Sequence, residues 1–318
     1  MKLHLHDILY ATDFSDSARQ ALATALDLTR RYDATLHHYH AIVLREDDPH
    51  HAGYYLGDQA GAGESLEEAA RVSTRAALEE LGAQGLTIRT VDERAPAAGP
   101  AILSYAKEQD VDLIVMGTHG RRGIQRWLMG SVAEEVVRRA SCPVLTVRHL
   151  QKARPARVWW NILVPIDLSK NSLQALAYAG ALARANQATV QILHVVQPVL
   201  LPAYYRLDES TTLSARSRLL QRAEEELEEF VESADTADVL TETRVVYGNP
   251  AIAIVEHAAE AESDLIVINT HGRTGLKHLL MGSVAEKVVR RAPCPVLTVK
   301  TFGKSLLPAE PGLPGPPQ

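Results

Sequence analysis

The sequence predicts two successive α/β domains of one fold, each with a parallel sheet covered by helices on both faces. Three observations lead to this prediction. The chain has 318 residues, about twice the length of a typical domain. A long segment of the first half recurs in the second half. Within each half, short apolar runs alternate with longer segments of helical period, which is typical of βαβ units.

The internal repeat sets the number of domains. Residues 117–149 and 269–301 are identical at 23 of 33 positions, with an offset of 269 − 117 = 152 residues. A second match joins residues 6–15 to residues 160–169, with an offset of 160 − 6 = 154 residues. Because one copy fills a whole domain, the repeat indicates duplication of a domain rather than a solenoid of short units.

The apolar runs and helical segments give the predicted elements in chain order. Continuous apolar strands are typical of parallel sheets buried on both faces, and right-handed crossovers then produce a doubly wound, Rossmann-like domain. We expect five parallel strands in each half. In the first half the predicted strands include 8–11, 41–44, 113–116 and 144–147, and the predicted helices are 17–31, 64–81, 101–108 and 132–139. In the second half the predicted strands are 162–166, 190–196, 239–246, 265–268 and 296–299.

Composition places the domain limits. Residues 1–150 form the first predicted domain and residues 158–302 the second, joined by the polar, proline-bearing segment 151–157. From residue 303 onward proline and glycine are too frequent for regular structure. We therefore predict a disordered tail over residues 303–318.

Charge and hydropathy exclude several classes of partner. The formal net charge of −6 gives no general attraction to nucleic acid or to an anionic membrane. No run of about 18 apolar residues is present, and the first residues lack the apolar core of a secretory signal. We expect a cytoplasmic protein with no nucleic-acid or membrane partner. The two cysteines, Cys142 and Cys294, are predicted to be small buried side chains.

A glycine and serine pattern follows the fourth predicted strand of each half. In the first half it comprises Gly117, Gly120, Gly130 and Ser131, the last directly before a helix. Glycines allow close approach of a bulky anion and positive φ, and a helix N-terminus offers free N–H groups to a phosphate. The alternative is structural, since SVAE at 131–134 and 283–286 also has the spacing of a capping box.

With its flanking segments, this pattern resembles the universal stress protein family. The motif G-x2-G-x9-G-[ST] follows VDLIVM and precedes VAE and CPVLTV, and the resemblance covers about residues 5–148 and 158–300. It implies a Rossmann-like fold of the adenine nucleotide alpha hydrolase type and binding of ATP, with or without Mg²⁺. The residues implied to bind the nucleotide in the first half are Ala11, Asp13, Ala41, Met116, Gly117, Gly120, Gly130, Ser131 and Val132. Those implied in the second half are Pro165, Asp167, Val195, Ile268, Asn269, Gly272, Gly282, Ser283 and Val284.

Two features of these residues leave alternatives open. Asn269 replaces the first glycine of the motif, so its side chain occupies space that a glycine leaves empty, and the second half is either a weaker site or a structural copy. Asp13 and Asp167 each lie in an Asp-x-Ser turn. Such an aspartate either starts the following helix or accepts a hydrogen bond from the ligand, and the two roles are compatible.

Histidines near the second strand do not predict a metal site. Strand alternation puts His38 and His40 on one face and His37 on the other, so no tetrahedral ligand set forms with Asp47 or His50 nearby. We expect no metal centre in the protein.

Three functions follow from these residues and from the family resemblance. The first is a binding module in the stress response that changes its surface when ATP is bound. The second is a slow ATPase, although the sequence lacks the P-loop lysine and no residue is marked as a catalytic base. The third is a nucleotide-free scaffold. The resemblance also implies homodimers and a pseudo-twofold pairing of the two halves through their last strands, such as 144–147.

Overall fold

The computed structural model describes residues 3–43, 62–118, 129–148, 159–198, 209–234, 236, 238–270 and 281–308. For residues 62–66 and 209–213 it describes the backbone only. The chain divides into two compact units, one formed by residues 4–157 and one that includes residues 158–318.

The first unit is a five-stranded parallel sheet with helices between the strands. Its strand order is β3-β2-β1-β4-β5, and every neighbouring pair is parallel. The elements are β1 (Asp7–Thr12), α1 (Asp16–Tyr32), β2 (Thr35–Ile42), α2 (Ala62–Glu80), β3 (Ile88–Arg94), α3 (Ala98–Glu108), β4 (Leu113–Gly117), α4 (Ser131–Arg139) and β5 (Val144–Val147).

The second unit repeats this topology. Its strand order is β8-β7-β6-β9-β10, again with parallel neighbours throughout. The elements are β6 (Asn161–Ile166), α5 (Lys170–Asn186), β7 (Thr189–Val196), α6 (Glu209–Glu232), β8 (Thr241–Tyr247), α7 (Pro250–Glu260), β9 (Leu265–Asn269), α8 (Ser283–Arg291) and β10 (Val296–Val299).

The central strands form the core of each unit. Ile8, Leu9, Ile114 and Val115 are fully buried in the first unit. Successive side chains of a strand point to opposite faces, so burial of consecutive residues requires helices on both sides of the sheet. The predicted doubly wound parallel fold, with five strands in each half, is confirmed.

The second and third strands of the first unit differ from the sequence prediction. The strand predicted at 41–44 begins six residues earlier, at Thr35, and the strand Ile88–Arg94 was not among those predicted. Both contain polar residues, with three histidines in β2 and four charged residues in β3. Neither segment is therefore a continuous apolar run. Their strand conformation depends on pairing with neighbouring strands rather than on local apolar pattern.

The first residues of the predicted tail pack against α5. Leu306 is buried, its amide donates to the Tyr178 hydroxyl at 2.7 Å, and Ser305 Oγ lies 3.2 Å from the same hydroxyl. The apolar Leu306 gains enough burial to fix residues that composition alone marks as irregular. Disorder stays a prediction for residues 309–318, which lie outside the described residues.

Strand order reverses at one place in each unit. The chain leaves β1 towards β2 on one side, and it leaves β4 towards β5 on the other, while β1 and β4 are neighbours. The loops after β1 and β4 therefore diverge at the carboxyl edge of the sheet, where doubly wound domains bind ligands. The loops after β6 and β9 have the same arrangement in the second unit.

No helix in the described parts of the chain combines the length and the apolar character needed to cross a membrane.

Candidate functional site

The turn after β1 is held in an uncommon conformation. Phe14 has φ 61°, which is rare for a bulky residue. The Phe14 amide donates to Thr12 Oγ1 at 3.0 Å, and the Ser15 amide donates to Asp13 Oδ1 at 3.1 Å. Ser15 is the N-cap of α1, and its hydroxyl accepts from the Ala18 amide. Asp13 therefore stabilises the turn, while Ser15 caps the helix.

The turn after β6 has a positive φ at the corresponding residue and is also stabilised by an aspartate. Leu168 has φ 60°. Asp167 Oδ1 accepts from the Ser169 amide at 3.1 Å and from the hydroxyls of Ser169 and Ser172 at 2.5 Å each. Three donors thus share one oxygen of this carboxylate, so Asp167 stabilises both the turn and the start of α5.

Gly117, the last residue of β4, lies against the start of α1. A Cβ atom there would stand 2.5 Å from Ser17 Oγ and 2.8 Å from the Ala18 nitrogen. Close strand–helix packing therefore requires this glycine. The expectation of positive φ is wrong for Gly117, Gly130 and Gly282 alike, since none of them has it.

Asn269 occupies the position of Gly117 in the second half. Its side-chain amide donates to the Asn171 carbonyl in the first turn of α5, at 3.1 Å. The end of β9 is thus tied to α5 by a side chain, whereas the end of β4 packs on α1 directly. The two halves differ at the place where the sequence departs from the motif.

The helix after β4 begins without a side-chain cap. Gly130 is the N-cap of α4, with φ −64° and ψ 144°, and as a glycine it makes no side-chain capping hydrogen bond. Its amide donates to the Thr118 carbonyl at 2.8 Å, and the Glu134 amide begins the helical bonding to the Gly130 carbonyl. Ser131 is the first helical residue and is exposed. The amides of residues 131–133 come before Glu134 in the chain, so they have no carbonyl acceptor within the helix, and they point out of its N-terminus.

The capping-box interpretation is therefore wrong. A capping box needs the serine at the N-cap, and here the N-cap is the preceding glycine in both halves. Gly282 repeats the arrangement, with its amide 2.7 Å from the Thr270 carbonyl, and Ser283 follows as the first residue of α8. In both halves the cap residue is thus a glycine, which has no side chain over the first helical amides.

Most of the predicted site residues come together at the carboxyl edge of each sheet. Ala11 pairs with Tyr39 on β2 and with Met116 on β4, which places the ends of three strands side by side. Ala41 lies one strand away, near the end of β2. Val132 follows Ser131 in α4, and Val284 follows Ser283 in α8. Pro165, Val195 and Ile268 lie near the ends of β6, β7 and β9. Gly120 and Gly272 lie outside the described residues.

Sequence reasoning overlooked one residue at this edge in each half. His40 Nδ1 lies 2.9 Å from the Thr12 carbonyl oxygen, and His194 Nδ1 lies 2.8 Å from the Ile166 carbonyl oxygen. The signal was available, because 194 − 40 = 154 is the offset that relates the two copies at their first strands.

The other β2 histidines have structural surroundings. His37 lies between Tyr105 OH at 2.9 Å and Asp7 Oδ1 at 3.0 Å. His38 is 1% exposed beside Tyr10, and neither ring nitrogen has a hydrogen-bond partner among the residues that the structure describes. Burial lowers the pKa of His38 from 6.5 to about 4, so this imidazole is neutral at pH 7. Within the described ranges no group of His, Cys, Asp or Glu is placed to hold a metal ion. Asp47 and His50 lie outside those ranges.

Together these features define a class of protein: a tandem of doubly wound α/β domains, each with a glycine-capped helix start beside the point where strand order reverses. The model of the universal stress protein family matches residues 4–148 and 160–300. The chain belongs to the universal stress protein family.

Individual relatives agree with this assignment. A universal stress protein of Methanocaldococcus jannaschii is 37% identical over 140 residues, which are 44% of this chain and 81% of that protein. One from Mycobacterium bovis is 32% identical over 208 residues, 63% of this chain and 65% of that protein, so the match spans just under two thirds of it. The crystal structure of a universal stress protein from Archaeoglobus fulgidus has a TM-score of 0.64 at 19% identity, covering 92% of this chain and 98% of that one. This last likeness shows the fold.

Proposed function

We propose that the first half binds ATP or a related adenine nucleotide, and that occupancy changes a surface read by a partner in the stress response. The observation that carries the proposal is the start of α4. The N-cap of this helix is a glycine, which itself has no side-chain acceptor for the first helical amides, and it lies at the edge where β1 and β4 diverge. Such a helix start binds phosphate through N–H groups and the helix dipole.

Each part of the site has a proposed role. Phosphates lie against the amides of Gly130, Ser131 and Val132. Gly120, which lies outside the described residues, is proposed as a further phosphate contact. Adenosine lies over the ends of β1, β2 and β4, where Ala11, Ala41 and Met116 offer small or apolar surfaces. Asp13 accepts a hydrogen bond from ribose or adenine while it stabilises its turn. Mg²⁺, where present, accompanies the phosphates.

The second half is proposed as the weaker site. Its helix start at Gly282 matches that at Gly130, which supports binding of phosphate. Asp167, however, already accepts three hydrogen bonds from its own turn and the start of α5, and Asn269 spans to α5. The Asn269 side chain occupies space that Gly117 leaves empty in the first half, and this difference supports weaker binding in the second half.

Calorimetric titration of the nucleotide-free protein with ATP, AMP and GTP tests the proposal. In Gly130→Asp the new carboxylate accepts from the helix amides and repels phosphate, while capping keeps the helix stable. We expect binding of ATP to the first half to be lost, and Gly282→Asp serves as the matched control. Absence of heat in the wild type, or unchanged heats in Gly130→Asp, would contradict the proposal. Phosphate release measured in parallel separates a binding module from a slow ATPase.

Assembly is part of the proposal. The family resemblance implies homodimers and pairing of the two halves through their last strands. Light scattering of the full chain should give a mass twice 34.8 kDa, and cross-linking with mass spectrometry should join the segments around residues 147 and 299. A monomeric mass argues against the dimer, and absence of that cross-link argues against the pairing.

A further inference from the structure

We infer that His40 and His194 are positioning residues that hold the turn of each proposed nucleotide site in its binding conformation. The inference rests on the proposed function. It adds to the proposed sites His40 on β2 and His194 on β7. Each histidine is inferred to control the conformation of one turn, after β1 in the first half and after β6 in the second.

The hydrogen bond of each histidine is unambiguous in direction. A carbonyl oxygen can only accept, so Nδ1 of His40 donates to Thr12 and Nδ1 of His194 donates to Ile166, at 2.9 and 2.8 Å. Each histidine is also the register partner of the residue whose carbonyl it binds. The ring therefore reaches across from the neighbouring strand to the last residue of β1 or β6.

That last residue is where the uncommon turn begins. Two residues later Phe14 adopts φ 61°, and Leu168 adopts φ 60° in the second half. Non-glycine residues keep such a conformation only where their surroundings impose it. The His40 ring supplies two of these constraints, one on the Thr12 carbonyl and one on the Phe14 ring, whose centroid lies 4.7 Å away. Asp13 lies between the two constrained residues.

The same device is present twice with different neighbours. Thr12 and Phe14 of the first half correspond to Ile166 and Leu168 of the second, and His38 corresponds to Ile192. The histidine, its contact with the backbone and the positive φ are common to both halves. A contact that serves only local packing would depend on those neighbours, whereas a backbone hydrogen bond that fixes the turn does not.

The test compares two substitutions in the full-length chain. His40→Leu removes the donor and keeps apolar bulk, while His40→Asn keeps an N–H donor near the position of Nδ1. We expect His40→Leu to weaken binding of ATP to the first half about tenfold, the effect of one lost hydrogen bond, and to speed exchange of the amides of residues 14–18. His40→Asn should restore both. His194→Leu is the matched control and should leave those amides unchanged.

Two outcomes would overturn the inference. One is unchanged exchange of residues 14–18 in His40→Leu. The other is faster exchange with unchanged affinity for ATP, which would make the histidine structural only. Exchange is measured on the nucleotide-free protein, so its result stands even where the wild type binds no nucleotide and the proposed function fails. If the wild type binds ATP and Gly130→Asp abolishes binding while His40→Leu does not weaken it, the inference alone fails. The melting temperatures of His40→Leu and His40→Asn are also compared. Weaker ATP binding in His40→Leu supports the inference only if His40→Asn, with the donor kept, binds ATP like the wild type.

Discussion

At the scale of single residues, the two halves differ at the end of the fourth strand, where Gly117 of the first half corresponds to Asn269 of the second. Gly117 has no room for a Cβ, because Ser17 and the backbone of Ala18 stand within 2.8 Å of its position. The Asn269 side chain is accommodated in the second half, where its amide donates a hydrogen bond to the Asn171 carbonyl. The first turn of the helix therefore packs differently on the strand end in the two domains.

The substitution Gly117→Asn gives the first half the residue that the second half has at the corresponding position, Asn269. We expect the unfolding free energy to fall by about 1–3 kcal/mol, the usual effect of overpacking, because the start of α1 must move. Asn269→Gly should lower it by about 1 kcal/mol, since one hydrogen bond is lost. Urea unfolding measures both, and a Gly117→Asn variant as stable as the wild type would contradict the packing described.

The buried imidazole of His38 makes stability depend on pH. Its pKa of about 4 in the folded protein lies below the ordinary 6.5, so the unfolded chain takes up the extra proton between these values. Stability therefore falls as pH falls through this window, by about 1.4 kcal/mol per pH unit. His38→Ile, which carries the residue of the second half, should remove this dependence.

Urea unfolding at pH 7.5, 6, 5 and 4.5 checks the effect of His38→Ile. The variant should gain stability over the wild type as pH falls, and the exposed His4→Asn is the control with no such gain. An equal difference between variant and wild type at every pH would show that His38 is not the titrating group.

At the scale of elements, the capping-box pattern predicts the start of α4 correctly but names the wrong residue as its cap. The spacing SVAE predicts a helix that begins near Ser131, and α4 does begin there. The serine, however, is the first helical residue and Gly130 is the cap. Asn249 is a side-chain cap, because its Oδ1 accepts from the Ile252 amide at the start of α7.

Alanine substitutions separate these roles. Ser131→Ala should change the unfolding free energy by less than about 0.5 kcal/mol, as for an exposed surface position. Asn249→Ala should lower it by about 1 kcal/mol, because it deletes a cap. Thermal unfolding followed by circular dichroism compares the two, and equal losses would mean that Ser131 caps α4 after all.

Helices and central strands could be predicted because their patterns are local. α1, α4 and β4 carry continuous apolar periodicity, so residues 17–31, 132–139 and 113–116 were placed within one residue at each end. β3 could not be predicted, since Arg89, Asp92 and Glu93 interrupt its apolar pattern. The repeat offset marks His40 and His194 as equivalent residues, but the contact of His40 with Thr12 could not be predicted, because it joins residues 28 apart through strand register.

At the scale of the whole molecule, the repeat allowed the architecture of one half to be predicted from the other. Both units have the same strand order, and in both the helix after the fourth strand has a glycine at its N-cap, Gly130 or Gly282. The repeat could not predict how the halves diverge, because that depends on contacts such as those of Asp167 and Asn269. Membership of the universal stress protein family accounts for the fold that both halves share, and the side chain of Asn269 is one point at which they differ.

Diffraction from crystals of the full chain grown with ATP tests the central claim most directly. The account predicts electron density for phosphates at the amides of Gly130, Ser131 and Val132, with adenosine over the ends of β1 and β2. A map that shows this helix start without nucleotide, at an ATP concentration that saturates any binding seen in solution, would contradict it.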